Sequence, residues 1–316
     1  MDKEVTLDQV SCLVCEKTFN SEKSLHAHVK AHKINLTEYY TTFYPRKSLL
    51  TGKLLPFKNK SHYFCSYFRD MVELEEWCES APLEKTQEIL LKLLSNRIKE
   101  KNLQYAPNHL ELELNDLPSL SLYKKFFKSY GEACRRLEVE PLFSKKLNKQ
   151  FFLPDQKLEN IKILIDTREQ KPLKIQNSSL HKLDFGDYTA SGEHYNNTYI
   201  DRKSETDFKS TLSTGLSRFK KELQRARDFD SFLYVLVESS IGSIIKNNNF
   251  SPHKSNLSFI WHNMRELTHE FAKTCQFVFS GGREQSKKMI PILLAAGSEL
   301  WNTDVQYYID NGEVSL

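Results

Sequence analysis

Residues Ile163–Glu169 (ILIDTRE), Leu183–Tyr188 (LDFGDY) and Tyr199–Asp207 (YIDRKSETD) place acidic side chains at the ends of three short β-type runs. Hydrolysis of a phosphodiester needs a divalent cation to neutralise charge at phosphorus and to generate hydroxide near neutral pH. Carboxylates must therefore converge beside a lysine that activates water or stabilises charge. Asp187, Asp201 and Lys203 supply that set. Residues two apart in a strand share a face, so Asp201 and Lys203 point together while Arg202 points away. A hairpin across the polar segment Glu193–Thr198 (EHYNNT) would bring the carboxylate of the Gly186-Asp187 turn beside them.

The surrounding pattern alternates strand and helix. ILIDT, FGDYTA, TYIDRK, FLYVLVES and CQFVFSG read as strands, whereas GLSRFKKELQRARDF, LSFIWHNMRELTHEFA and EQSKKMIPILLAAGSELW read as helices. The fold class expected for residues 158–316 is an α/β, restriction-endonuclease-like nuclease core, a mixed central sheet flanked by helices. Lys220, Lys221, Arg225 and Arg227 give the first helix a basic face suited to phosphates, and KNNNFSPHKSN, from Lys246, reads as a mobile loop at the substrate entrance.

DTRE at Asp166–Glu169, GD at Gly186-Asp187 and DRKSETD at Asp201–Asp207, in that order, resemble the XPF-type structure-selective endonucleases over roughly residues 161–300. Asp201 stands where that family has glutamate, and the arginine normally beside the glycine at Gly215 is displaced to Arg218. The resemblance implies that Asp166, Asp187 and Asp201 bind Mg²⁺ or Mn²⁺. It also implies that Glu169 and Asp207 support the site, and that Lys203 and Arg168 act on water and phosphate. DNA is the implied partner, through Arg218, Lys221 and Arg225 among others, with 5′-phosphate and 3′-hydroxyl products. A homodimer through the nuclease domain is left open.

A second motif lies near the start. CLVCEKTFNSEKSLHAHVKAH has the spacing of a two-Cys two-His zinc finger, with Cys12, Cys15, His28 and His32 as ligands to a structural Zn²⁺. The fold expected over residues 1–33 is a ββα finger, with Phe19 and Leu25 as its small core. So small a unit depends on the metal for its stability. Ser21, Ser24 and Ala27 occupy the base-facing helix positions, and none of them makes a bidentate base contact.

Residues 34–150 read as a mostly helical DNA-binding or linker region. EKTQEILLKLLSNRIKEK, from Glu84, repeats Leu/Ile at helical spacing, and LPSLSLYKKFFKSYGEACRRL, from Leu117, is similar to the short helix-turn-helix repeats that accompany homing endonucleases. Lys124, Lys125, Lys128, Arg135 and Arg136 cluster there with aromatics interleaved, a pattern suited to phosphate contact and equally to a solvated helix face.

The net charge is +4 over 316 residues, mildly basic, and six cysteines leave four after the zinc set, widely spaced, which points to reducing surroundings. No apolar run spans a bilayer, and the polar start MDKEVTLDQV is unlike a secretory signal, so a soluble intracellular protein without membrane contact is expected. The compartment would be the cytoplasm of a prokaryotic or phage-infected cell, or the nucleus of a eukaryote. No P-loop occurs, which excludes a nucleotide-driven helicase. Three functions remain: a homing-type or mobile-element endonuclease, a branch- or flap-selective repair nuclease, and an inactive DNA-binding regulator or scaffold.

Overall fold

The computed structural model describes residues 10–152 and 158–314, so the polar start Met1–Gln9 lies outside the described residues. The chain divides into two compact units, residues 1–97 with 116–118, and residues 98–115 with 119–316. This differs from the expected division near residues 150–158. The segments around Leu110, Leu114, Phe151 and Phe152 bury their apolar side chains in the cores of the sheet-bearing unit, so they belong to it.

The first unit begins with strands β1 (Val10–Ser11) and β2 (Thr18–Phe19), paired antiparallel, and helix α1 (Glu22–Val29), which Ser21 caps by accepting from the Ser24 N–H. Helices α2 (Leu36–Phe43), α3 (Lys60–Cys65) and α4 (Met71–Ser80) follow, and then the part of α5 (Leu83–Lys101) up to Arg97. The ββα piece does not have a private core. Leu25 and Val29 are buried together with Tyr39, Tyr40, Leu55 and Tyr63, and the Tyr39 hydroxyl accepts from the Leu13 N–H at 2.9 Å. Ring-bearing residues from about 19 to 64 thus supply the apolar surface that a lone finger lacks.

The second unit contains helices α6 (His109–Leu114), α7 (Leu120–Phe126) and α8 (Tyr130–Arg135), then a six-stranded sheet. Its strands are β3 (Ile163–Asp166), β4 (Ser178–His181), β5 (Tyr188–Ala190), β6 (Thr198–Lys203), β7 (Phe232–Val237) and β8 (Cys275–Phe279). The order across the sheet is β4-β3-β5-β6-β7-β8. Pairs β3–β5 and β5–β6 are antiparallel and the rest are parallel, so the sheet is mixed and the hairpin of β5 and β6 is present. β4 carries no apolar alternation and is exposed throughout, which is why its sequence gives no strand signal.

Helices α9 (Glu205–Thr211), α10 (Leu216–Asp228), α11 (Ile241–Phe250), α12 (Leu257–Glu270), α13 (Arg283–Ala296) and α14 (Val305–Asp310) complete the unit. Period-two alternation along β7 divides its side chains between two cores. Leu233, Val235 and Val237 join Phe219, Leu223, Met264 and Leu267 of α10 and α12, while Phe232, Tyr234 and Leu236 join Met289, Ile290 and Leu293 of α13. The sheet is therefore covered by helices on both faces. The expected loop from Lys246 is corrected in its first half, because Lys246–Phe250 finish α11, capped at its start by Ser240.

Because the finger-like segment and residues 34–65 share one core, truncating Tyr39 should loosen both. Tyr39→Ala is expected to cost about 3–5 kcal/mol and to lower amide-exchange protection in residues 10–29 and 34–65 alike. Loss confined to either stretch would show separate cores.

Candidate active site

The site grows from β6. Tyr199 belongs to the core under α10 and Ile200 to the opposite one, so the same alternation directs Asp201 and Lys203 toward α10 and Arg202 away from it. Lys203 Nζ donates to Asp201 Oδ1 at 2.7 Å and lies 5.7 Å from the centre of the Phe219 ring. Asp201 is 3 % exposed, and its second oxygen, Oδ2, has no hydrogen-bond partner among the described residues.

Asp187 enters from the turn before β5. Gly186 sits at φ +66°, and a Cβ there would lie 3.1 Å from Leu233 Cδ1 and 3.2 Å from the Ile200 carbonyl oxygen. Only glycine both adopts that backbone and lets the turn press against β6 and β7. The turn is fixed by the Asp187 N–H donating to Ile200 O at 2.7 Å and by Asp187 Oδ2 accepting from the Arg202 N–H at 2.8 Å.

A third carboxylate, Glu222 of α10, completes the group and was not singled out from the sequence. Its Oε1 accepts from the Gly186 N–H at 3.0 Å. The available signal was positional. Phe219, Leu223 and Ala226 form the buried stripe of α10, and a glutamate at 222 falls within that stripe at helical spacing.

Electrostatics binds these groups together. Burial pushes the Asp187 carboxyl well above the usual carboxylate range, and repulsion from Asp201 adds to it. Burial, and then Asp201, raises Glu222 as well. Burial alone would lower Lys203, but Asp201, Asp187 and Glu222 outweigh it and hold the ammonium above its ordinary value. Lys203 is thus a fixed cation at neutral pH. One ammonium faces three carboxylates, so full ionisation of the group would leave negative charge for a further cation to relieve.

The remaining expected residues fall into three groups. Asp166, at the end of β3, is 1 % exposed and accepts four N–H groups, from Arg168 N, Nε and Nη2 and from Leu183 N, at 2.7, 2.7, 3.0 and 2.7 Å. Both its oxygens are committed to the turn that pins Arg168, whose Nη2 also donates to Leu183 O. Against the cost of burial, those donors keep Asp166 below its ordinary range.

Glu169 takes part in a buried ion network on the opposite face of β6. Arg202 Nη2 donates to both its oxygens at 3.0 Å, while Arg202 Nη1 lies 2.7 Å from Glu238, which also pairs with Arg283. Asp207 is exposed in the first turn of α9, where its carboxylate accepts from the Ser204 hydroxyl at 2.6 Å.

Arg218, Lys221 and Arg225 are exposed on α10, and Arg225 is close enough to favour ionised Glu222. Of the basic residues around α7 and α8, all exposed, Lys124 lies 3.8 Å from the centre of the Tyr307 ring, and Arg135 and Arg136 share Glu132 at 2.7 and 3.6 Å. Lys125 sits 5.7 Å from the Phe126 ring centre, and Lys128 is exposed.

In the first unit, Cys12, Cys15, His28 and His32 bring one donor atom each to within 4.8 Å of the others. Cys15 Sγ lies 3.2 Å from His28 Nε2, Cys12 Sγ 3.6 Å from His32 Nε2, and the two imidazole nitrogens 3.0 Å apart. A tetrahedral ion bound through sulfur and nitrogen sets such edges at about 3.3–3.8 Å.

No family model and no curated protein matches the chain. Among solved structures it is similar to XPF from Aeropyrum pernix, at 16 % identity and a TM-score of 0.33, over 44 % of this chain and 67 % of that one. It is also similar to the complex of that protein with DNA, at 17 % identity and a TM-score of 0.32, over 42 % and 62 %. The chain thus spans about two thirds of the length of these structures.

The raised Asp187 gives a test with a definite sign. A carboxyl whose folded value exceeds its unfolded value stabilises the fold at acid pH, and that stability is lost as pH rises through the folded value. Asp187→Asn, which keeps an oxygen for the Arg202 N–H, should therefore raise Tm at neutral pH without divalent ions by about 2–4 °C, equivalent to about 1 kcal/mol. The gain should shrink toward acid pH. A lower Tm for the variant at pH 8 would show that the Asp187 carboxylate is not strained in the fold.

Proposed function

We propose that the chain is a divalent-cation-dependent DNA endonuclease whose catalytic centre is Asp187, Asp201, Glu222 and Lys203. One observation carries the reading: the buried Asp201 Oδ2 lacks a hydrogen-bond partner beside two further carboxylates whose pKa values are raised. An orphaned buried carboxylate oxygen is costly unless something positive meets it. The all-oxygen chemistry of the donor set is that of a hard cation such as Mg²⁺ or Mn²⁺, and Asp187, Asp201 and Glu222 are the residues that would hold it. Asp166 would join only on release from Arg168. When bound, the ion supplies a Lewis acid for the phosphoryl oxygen and a more acidic water.

The residues themselves define the other roles. Lys203, kept protonated by its carboxylates, orients the attacking water and meets developing negative charge on phosphate; it does not accept the proton. Arg168 presents an exposed guanidinium whose direction Asp166 fixes. Arg218, Lys221 and Arg225 follow the phosphate backbone along α10. Glu169 holds Arg202, and through its backbone N–H Arg202 holds Asp187.

A structural Zn²⁺ at Cys12, Cys15, His28 and His32 belongs to the same reading, since two thiols and two imidazoles are the donor set it prefers. DNA selection then rests on the first unit and on the basic surface of α7 and α8. Homing-type targeting and selection of branched DNA are the two versions of that step.

The experiment is cleavage of linear, flap, fork and single-stranded DNA in Mg²⁺ or Mn²⁺, with the ends sequenced. Asp201→Asn should lower the rate by on the order of 10²–10³ while DNA affinity persists. Replacing Lys221 and Arg225 by alanine should flatten the salt dependence of binding, by about 0.9 in log–log slope for each phosphate no longer neutralised. DNA binding without cleavage of any substrate would leave the scaffold reading in place of an enzyme.

A further inference from the structure

In the sheet-bearing unit, His109 and Glu113 stand one turn apart on α6, and Asp310 ends α14. Their donor atoms all lie within 4.8 Å of one another. His109 Nε2 is 2.9 Å from Asp310 Oδ2 and 3.4 Å from Glu113 Oε2, although a single Nε2–H can be aimed at only one of them. The His109 side chain is 10 % exposed, whereas Glu113 and Asp310 reach solvent.

Three further features single this group out. Its charge is unbalanced: Asp304, 7 % exposed, accepts from the His109 backbone N–H at 2.8 Å, so three carboxylates crowd one imidazole. Outer partners already orient the donors. Gln306 donates to Asp310 Oδ1 at 2.8 Å and leaves Oδ2 toward His109, and the Tyr307 ring meets the imidazole edge-on at 5.6 Å between centres. Metal–ligand bonds of about 2.0–2.2 Å in a tetrahedral shell set edges of about 3.3–3.6 Å between ligands; the 3.4 Å spacing to Glu113 matches, and the 2.9 Å one to Asp310 would open by a few tenths of an ångström as the proton leaves.

We propose that His109, Glu113 and Asp310 form a further metal site, the third in the chain, for a borderline divalent cation such as Zn²⁺, which staples α6 to α14. One imidazole nitrogen with two carboxylate oxygens selects a transition ion over Mg²⁺, and solvent water completes the shell through the open side. Because Nε2 must be free of its proton to bind, affinity falls with acid pH. Proton and metal compete for that one nitrogen. The ion binds the folded unit and thereby stabilises it. The site is separate in residues from both the Cys₂His₂ cluster and the Asp187–Asp201 group.

The test uses the full chain. Cys12→Ser, Cys15→Ser and Asp187→Asn are combined as a background that disables the other two groups, and Zn²⁺ is titrated by calorimetry, with Tm followed in parallel. One site is expected in the background chain, and adding Glu113→Gln or Asp310→Asn should weaken it at least tenfold and abolish the Zn²⁺-induced rise in Tm. Both substitutions lie at solvent-reaching side chains, and circular dichroism confirms folding. Should the background chain not fold, zinc content is counted in the chain with its cysteines intact, where Glu113→Gln should reduce it by one ion per chain. Equal affinity with and without the two carboxylates, no site in a folded background chain, or unchanged stoichiometry would each overturn the proposal. Cleavage in Mg²⁺ is scored separately, so failure here and failure of the endonuclease reading are distinguishable.

Discussion

Three carboxylates share one ammonium beneath α10, and this imbalance is the constraint around which the sheet-bearing unit is arranged. Asp187, Asp201 and Glu222 cannot all ionise comfortably in a partly buried setting where Lys203, with Arg225 acting on Glu222, answers them. A protein tolerates such a group when the fold over-determines its position. Here the Gly186 turn, the Arg202 N–H and the helix carrying Glu222 all hold it in place. Stability given up at such a site is characteristic of places prepared for a ligand.

The support for that strain lies on the other face of β6. Arg202, buried with an 8 % exposed side chain, is gripped by Glu169 and Glu238, and Glu238 is held in turn by Arg283. Removing one member of a buried pair leaves its partner uncompensated, which is far costlier than the pair is worth as stabilisation. The network anchors Arg202 on the face of β6 opposite to Asp201 and Lys203. One strand, through nothing more than its period of two, carries the carboxylate–ammonium group on one side and the Arg202 ion network on the other.

The first unit solves a different problem. A ββα segment of about twenty residues cannot bury enough surface to persist alone, and its Cys₂His₂ cluster is joined by a second source of order. The rings of Tyr39, Tyr40 and Tyr63 enclose Leu25 and Val29, and the Tyr39 hydroxyl reaches the turn between the cysteines. The segment is thus the edge of a larger aromatic core.

Much of this was legible in the residues themselves. Strands β3, β5, β6, β7 and β8 follow from their apolar runs, the shared face of Asp201 and Lys203 from alternation, and the Cys₂His₂ grouping from spacing, because each depends only on local geometry. What the tertiary structure alone decided depends on which distant surfaces meet. Edge strand β4 has no apolar pattern and is recruited by pairing with β3. Glu222 joins the site because α10 packs on the face that Asp201 and Lys203 share. Asp166 gives up both oxygens to Arg168 and Leu183, a choice fixed by a turn 17 residues further on. His109 and Asp310, 201 residues apart, are brought together only when α6 lies beside α14. Periodicity fixes the face on which a side chain stands, and packing fixes what it meets there.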